Sequence, residues 1–165
     1  MRLLILGLCL ALASLSQAEP LRVDELTPLD ERFMDTAVAE LNDLAQIRLG
    51  RSLSNEHTRN RDQDLDIIQT LLDRKLVDGD DTKLLQAMGI VLGRHLQKEN
   101  SLKWVIYVDN VGRSRALEVP FKEDFIFPVT QISSRAAVGA NVDVQAIYEK
   151  LEQEIADIRK KIIVR

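Results

Sequence analysis

The sequence predicts one α+β domain: N-terminal helices, a three-stranded antiparallel meander, then a long C-terminal amphipathic helix. Two observations carry that reading. Apolar residues recur at three- and four-residue spacing up to about residue 97, alternate between Trp104 and Val119, and return to helical spacing after Val144. The 165 residues are 45% hydrophobic and 29% charged, an ordinary globular balance with no repeat, low-complexity tract or interdomain linker.

The first 18 residues read as a secretion signal. Arg2 supplies a positive start, Leu3 to Leu15 is an apolar run, and Ser16-Gln17-Ala18 places small residues before a cut between Ala18 and Glu19. As a helix that run rises only about 20 Å, short of a hydrocarbon core of about 30 Å, so it is expected to be cleaved rather than to anchor. Cys9 falls inside the run behind Leu8, a poor setting for lipidation, and no cysteine follows it. The expected location is therefore the periplasm, with no stable membrane span after cleavage and a mature chain held by its core alone.

Residues 19–26 read as a loose leader and 27–165 as the domain. Thr27, Pro28 and Asp30 make a capping box that opens a first helix, with Phe33, Ala37, Leu41, Leu44 and Ala45 on its stripe and Gly50 as its stop. A polar stretch follows. A second helix is expected from about Asp62 to Val77 on Leu65, Ile68, Leu72 and Leu76. Asp80 or Asp81 can cap a third, running to about Gln97. Gly89 and Gly93 lie on one face of that third helix. Each is unfavourable there by about 1 kcal/mol against alanine, so a close approach of another element is expected at that strip.

Trp104 to Val108 and Arg113 to Val119 read as strands joined by an Asp109-Asn110-Val111-Gly112 turn. Phe125 to Ile132 reads as a third strand, with Pro128 suiting an edge, and the pattern leaves room for a fourth short one. Asn141 or Asp143 caps a last helix to Ile163. Its stripe from Val144 to Ile162 either lies on the domain's own core or offers a seam for a second copy.

The order of several short pieces resembles a bacterial family of unknown function, domain of unknown function 3806. The pieces are Asp64-Leu65 with Gln69 and Leu72-Asp73, then Gln86-Ala87-Met88-Gly89 with Leu92-Gly93. Trp104, Tyr107, Asp109 and Gly112-Arg113 come next. Phe127-Pro128, Ile132-Ser133, Arg135 and Val142-Asp143-Val144 complete the series, which spans residues 64–148. The resemblance implies an α+β domain and brings no activity with it.

Catalytic constellations are not legible. His57 and His95 have no His or Cys partner at zinc-ligand spacing. Counting a calcium loop from Asp78 places Leu84 seventh and Gly89 twelfth, so Asp78, Asp80 and Asp81 read as capping residues. Ser133 and Ser134 lack a nucleophile elbow and are expected to satisfy backbone groups at the end of the third strand. No phosphate loop or dinucleotide fingerprint is present, so no cofactor is expected. The net charge of -4 and 4% aromatic content argue against a nucleic-acid partner.

The binding candidates are Trp104, Tyr107, Asp109, Arg113 and Arg135, with His95 bordering an apolar helix face. Arg113 or Arg135 could pair with Asp109 or grip a ligand carboxylate. Two functions follow. One is a non-enzymatic module that binds a protein or peptide, suited by open sheet edges. The other is an enzyme or small-ligand binder using a cleft near Trp104, Tyr107, Asp109 and Arg135. Convergence of these side chains with His95 in one pocket separates the second from the first.

Overall fold

The computed structural model describes residues 21–161. Among them the order is β1 (Arg22–Glu25), α1 (Pro28–Leu49), α2 (Arg61–Asp73), α3 (Thr82–Asn100), β2 (Lys103–Val108), β3 (Arg113–Val119), β4 (Asp124–Ile126), α4 (Val129–Ala136) and α5 (Val144–Lys160). The expected secretion signal and its expected Ala18/Glu19 cut lie outside the described residues.

The helix ends follow local chemistry. At α1 the Thr27 hydroxyl accepts from the Asp30 amide, and the Asp30 carboxylate accepts from the Thr27 amide. Gly50 takes the left-handed conformation (φ 66°) that ends this helix. Asn60, Asp81 and Asp143 cap α2, α3 and α5 through their side chains. Helix α2 stops at Asp73, short of the expected Val77, where Lys75 turns to φ 51°. Helix α3 runs past Gln97 to Asn100.

The four strands form one antiparallel sheet in chain order. The β2–β3 register sets Trp104 opposite Leu117 and Val108 opposite Arg113. Two corrections concern the sheet. Part of the stretch read as a loose leader is an edge strand, with Arg22–Glu25 pairing along Val108 to Val105. It is short, polar and largely exposed, so it carries little of the apolar alternation by which strands are recognised.

The third predicted strand is the other correction: only Asp124–Ile126 pair, and Val129–Ala136 is a helix. Pro128 has no N–H to give a ladder and sits at the helix start instead. Val129 and Ile132 are both buried three residues apart, a spacing that a helix uses and alternation does not. Ser133 and Ser134 consequently lie on this helix, where the Ser133 hydroxyl meets the Thr130 carbonyl.

Helix α3 is the centre of the core and is buried on nearly all sides. Trp104, Leu117, Val119 and Ile126 on one face of the sheet join its apolar cluster. A Cβ on Gly89 would stand 2.5 Å from the Val129 carbonyl oxygen and 2.6 Å from that of Pro128. One on Gly93 would stand 2.5 Å from the Trp104 ring. The two glycines thus seat the start of α4 and the indole directly on the α3 backbone. Val144, Ile147, Leu151, Ile155 and Ile158 of α5 are buried within the chain's own core. The chain itself covers this stripe, which could otherwise have met a second copy; Ile162 lies outside the described residues.

Candidate functional site

A cleft of about 1030 Å³ opens between α1, the 50–60 connection and the second half of α3, with Glu25 and Lys103 at its strand end. The connection is pinned at several points. Leu53 N–H donates to the Asn42 side chain, Gln63 to the Ser52 carbonyl, and Arg51 pairs with Asp66. This holds Ser54 over the first turn of α2.

There Asp64 is only 2% exposed. Its carboxylate accepts from the Ser54 amide at 2.8 Å and the Ser54 hydroxyl at 2.6 Å, and its Oδ2 lies 2.9 Å from His95 Nε2. Burial pushes the Asp64 carboxyl up. The hydrogen bonds from His95 and from both Ser54 groups outweigh burial and leave it below its ordinary value of 3.8. An ionised carboxylate only accepts, so His95 Nε2 carries the proton.

Three side chains along this cleft hold buried polar atoms with no partner among the described residues: His95 Nδ1, Trp104 Nε1 and Arg59 Nε. His95 and Trp104 are 3% and 8% exposed. Arg59 also donates through Nη1 to the Arg94 carbonyl at 2.9 Å. Buried polar groups are normally paired, and one left unpaired costs about 1–3 kcal/mol. Three side chains of this kind line the one cleft.

The arrangement is not a hydrolytic triad. In a triad histidine stands between the nucleophile and the acid. Here Asp64 stands between Ser54 and His95, so His95 is not placed to take the Ser54 proton.

The sequence candidates mostly disperse. Trp104 and His95 share the cleft. Tyr107 lies on the opposite face of the sheet, packed against Phe125 and Phe127 at 5.0 and 5.2 Å between ring centres. Asp109 closes its own turn by accepting from the Val111 and Gly112 amides. Arg135 folds back on α4 to the Gln131 carbonyl and side chain. Arg113 does not pair with Asp109; it grips Asp30 of the capping box through two bonds of 2.8 and 2.7 Å. The Arg113 guanidinium holds the buried Asp30 carboxyl well below the usual carboxylate range, against the opposing effect of burial and with help from Thr27. A cleft near Trp104, Tyr107, Asp109 and Arg135 is therefore not formed.

Asp64, Ser54 and Arg59 were not expected at the site. An aspartate in a helix's first turn reads as a dipole partner, and nothing local shows that this one is buried. The visible hint was His95 on the border of an apolar face.

Fold and site together define an α+β domain with a buried Asp–His pair beside a polar cleft. The family model "Domain of unknown function (DUF3806)" matches residues 64–148, and the chain belongs to that family. Asp64 and His95 both fall inside the match. A crystal structure from Bacteroides thetaiotaomicron VPI-5482 at 1.50 Å is similar, with a TM-score of 0.70 at 16% identity. The match covers 84% of this chain and 49% of that one, so the chain spans about half the length of its structural neighbour. The likeness establishes a shared fold. No curated protein matches the sequence significantly. No helix among the described residues is long and apolar enough to cross a membrane.

Proposed function

We propose that the chain is an exported, non-enzymatic binding module that takes a peptide segment of another protein in the cleft between α1 and α3. The Arg2, Leu3–Leu15 and Ser16-Gln17-Ala18 pattern supports export and, with it, a periplasmic location. Binding rests on one observation: a cleft of about 1030 Å³ whose walls include His95, Trp104 and Arg59, each with a buried polar atom left unpaired. That volume is at the upper end of ligand pockets, about 300–1,000 Å³, and accommodates several residues. The walls mix apolar Met34, Val38 and Val91 with amides and hydroxyls such as Asn42, Gln46 and Ser52, a mixture suited to main chain and small side chains.

The test is steric. Ala39 lines the cleft and is exposed, so Ala39→Trp fills the groove without entering the core. Native and variant chains, expressed with their own leader, are compared for binding to a terminally blocked peptide library. Binding by the native chain alone, at equal thermal stability, supports the reading. Equal binding by both, or cleavage of the peptides, contradicts it. Intact mass of the periplasmic material tests export: a chain beginning at Glu19 is expected, and one beginning at Met1 in the cytosol contradicts it.

A further inference from the structure

Charge and hydrogen-bonding complement narrow the ligand beyond "a peptide", and this step rests on the cleft reading above. We infer that the segment bound is a basic one, held through its main-chain amides rather than by a terminal carboxylate.

The hydrogen-bonding argument starts from the unpaired atoms. Trp104 Nε1 and Arg59 Nε can only donate. His95 commits Nε2–H to Asp64, which leaves Nδ1 as the unpaired ring nitrogen. The two free donors thus ask for a ligand that accepts. A main-chain carbonyl answers them without bringing a charge, and a hydrocarbon does not. A carboxylate, phosphate or sulfate accepts as well, and the charge of the cleft decides against it. All three atoms are closed to solvent in the free chain. Engagement therefore involves an adjustment of the cleft wall around them, as is common at interfaces.

The charge argument is independent. The cleft walls carry five carboxylates against three permanent cations. Lys103 is taken by Glu25 at 2.8 Å and Arg94 by Asp35, while Asp64 is occupied by Ser54 and His95. Arg59 remains against Glu31 and Glu56. Both of these are exposed, and neither is in an ion pair among the described residues. An approaching anion meets a surplus of negative charge, whereas a lysine or arginine side chain finds two free carboxylates.

The experiment uses the chain expressed with its own leader and purified as processed. The probes are acetyl- and amide-blocked hexapeptide pools, one with fixed lysine or arginine and one with fixed glutamate, together with acetate and inorganic phosphate. The chain has a single tryptophan, so indole fluorescence and its one indole N–H resonance report Trp104 directly.

The basic pool is expected to move the indole N–H downfield and to saturate. Glu31→Gln with Glu56→Gln is expected to weaken that binding about tenfold without changing the melting temperature. Neither anion is expected to shift the indole. If acetate or phosphate moves the indole and competes with peptide, or if the acidic pool binds as well as the basic one, the inference falls while the cleft reading stands. If peptides bind but shifts cluster around Tyr107, Phe125 and Phe127 with the indole unmoved, the cleft reading falls and the inference with it. The same holds if neither pool binds at millimolar concentration.

Discussion

Asp64→Asn is the sharpest perturbation of the site, because it keeps the shape and removes the charge. In the native chain Oδ1 accepts from the Ser54 amide, and Oδ2 receives the Ser54 hydroxyl and His95 Nε2. Asparagine can keep the first bond through its oxygen. Its NH2 then faces Ser54 Oγ, which can accept, and His95 Nε2, which can accept only if the ring moves its proton to Nδ1. Three charge-assisted bonds become neutral ones, a loss of about 1 kcal/mol each, offset in part by no longer burying a charge. The net expectation is a loss of about 2 kcal/mol at pH 7, a large fraction of a domain's usual margin of about 5–15 kcal/mol.

The pH dependence has a definite sign. Asp64 is held below its ordinary 3.8 in the folded chain, so its ionised form contributes stability above that value. The contribution fades as pH falls through the lower, folded-state value. Native and variant denaturation curves should therefore converge on acidification below about pH 4. Urea titration at pH 7 and pH 3 measures the gap, and ring nitrogen shifts of His95 report the proton's move from Nε2 to Nδ1. Equal stability at pH 7, a gap that widens on acidification, or a His95 proton already on Nδ1 in the native chain would refute the reasoning.

Three further outcomes follow from the geometry. Gly89→Ala should destabilise the chain by about 1–3 kcal/mol despite alanine's better helix propensity, because its Cβ meets backbone oxygens that cannot rotate away; the urea midpoint checks it. Asp30→Asn should cost about 2 kcal/mol at neutral pH, discounted because Arg113 is half exposed. That cost should shrink below the unfolded value of 3.8, since the folded carboxyl titrates lower still, which thermal melts across pH 2–7 would show. Trp104→Phe keeps a ring over Gly93 but removes the unpaired N–H. It should leave the melting temperature within a few degrees while weakening peptide binding several-fold by calorimetry.

Periodicity and capping chemistry located most elements because those signals are local. The Thr27–Asp30 box marks α1 to the residue, and the Asp109–Gly112 turn marks the β2–β3 hairpin. What was hidden depended on distant partners. Arg22–Glu25 is a strand only because β2 offers it an edge. Val129 to Ala136 is a helix because Pro128 ends the sheet, Gly89 of α3 lets the Val129 backbone approach closely, and Val129 and Ile132 are buried on one helix face. The same holds at the site. His95 was visible as a borderline residue, but Asp64 lies 31 positions away. The Arg113 partner, Asp30, lies 83 positions away, so turn chemistry gave no sign of it. Charge pairs between residues this far apart in the chain leave no trace in local spacing.

A crystal structure of the chain with a blocked lysine-containing peptide tests the cleft most directly. A peptide lying between α1 and α3 is expected, with a main-chain carbonyl within hydrogen-bonding distance of Trp104 Nε1 and a basic side chain beside Glu31 and Glu56. A peptide paired along the free edge of β1, or lying on the Tyr107–Phe125–Phe127 face while the cleft keeps its free-state geometry, would contradict it.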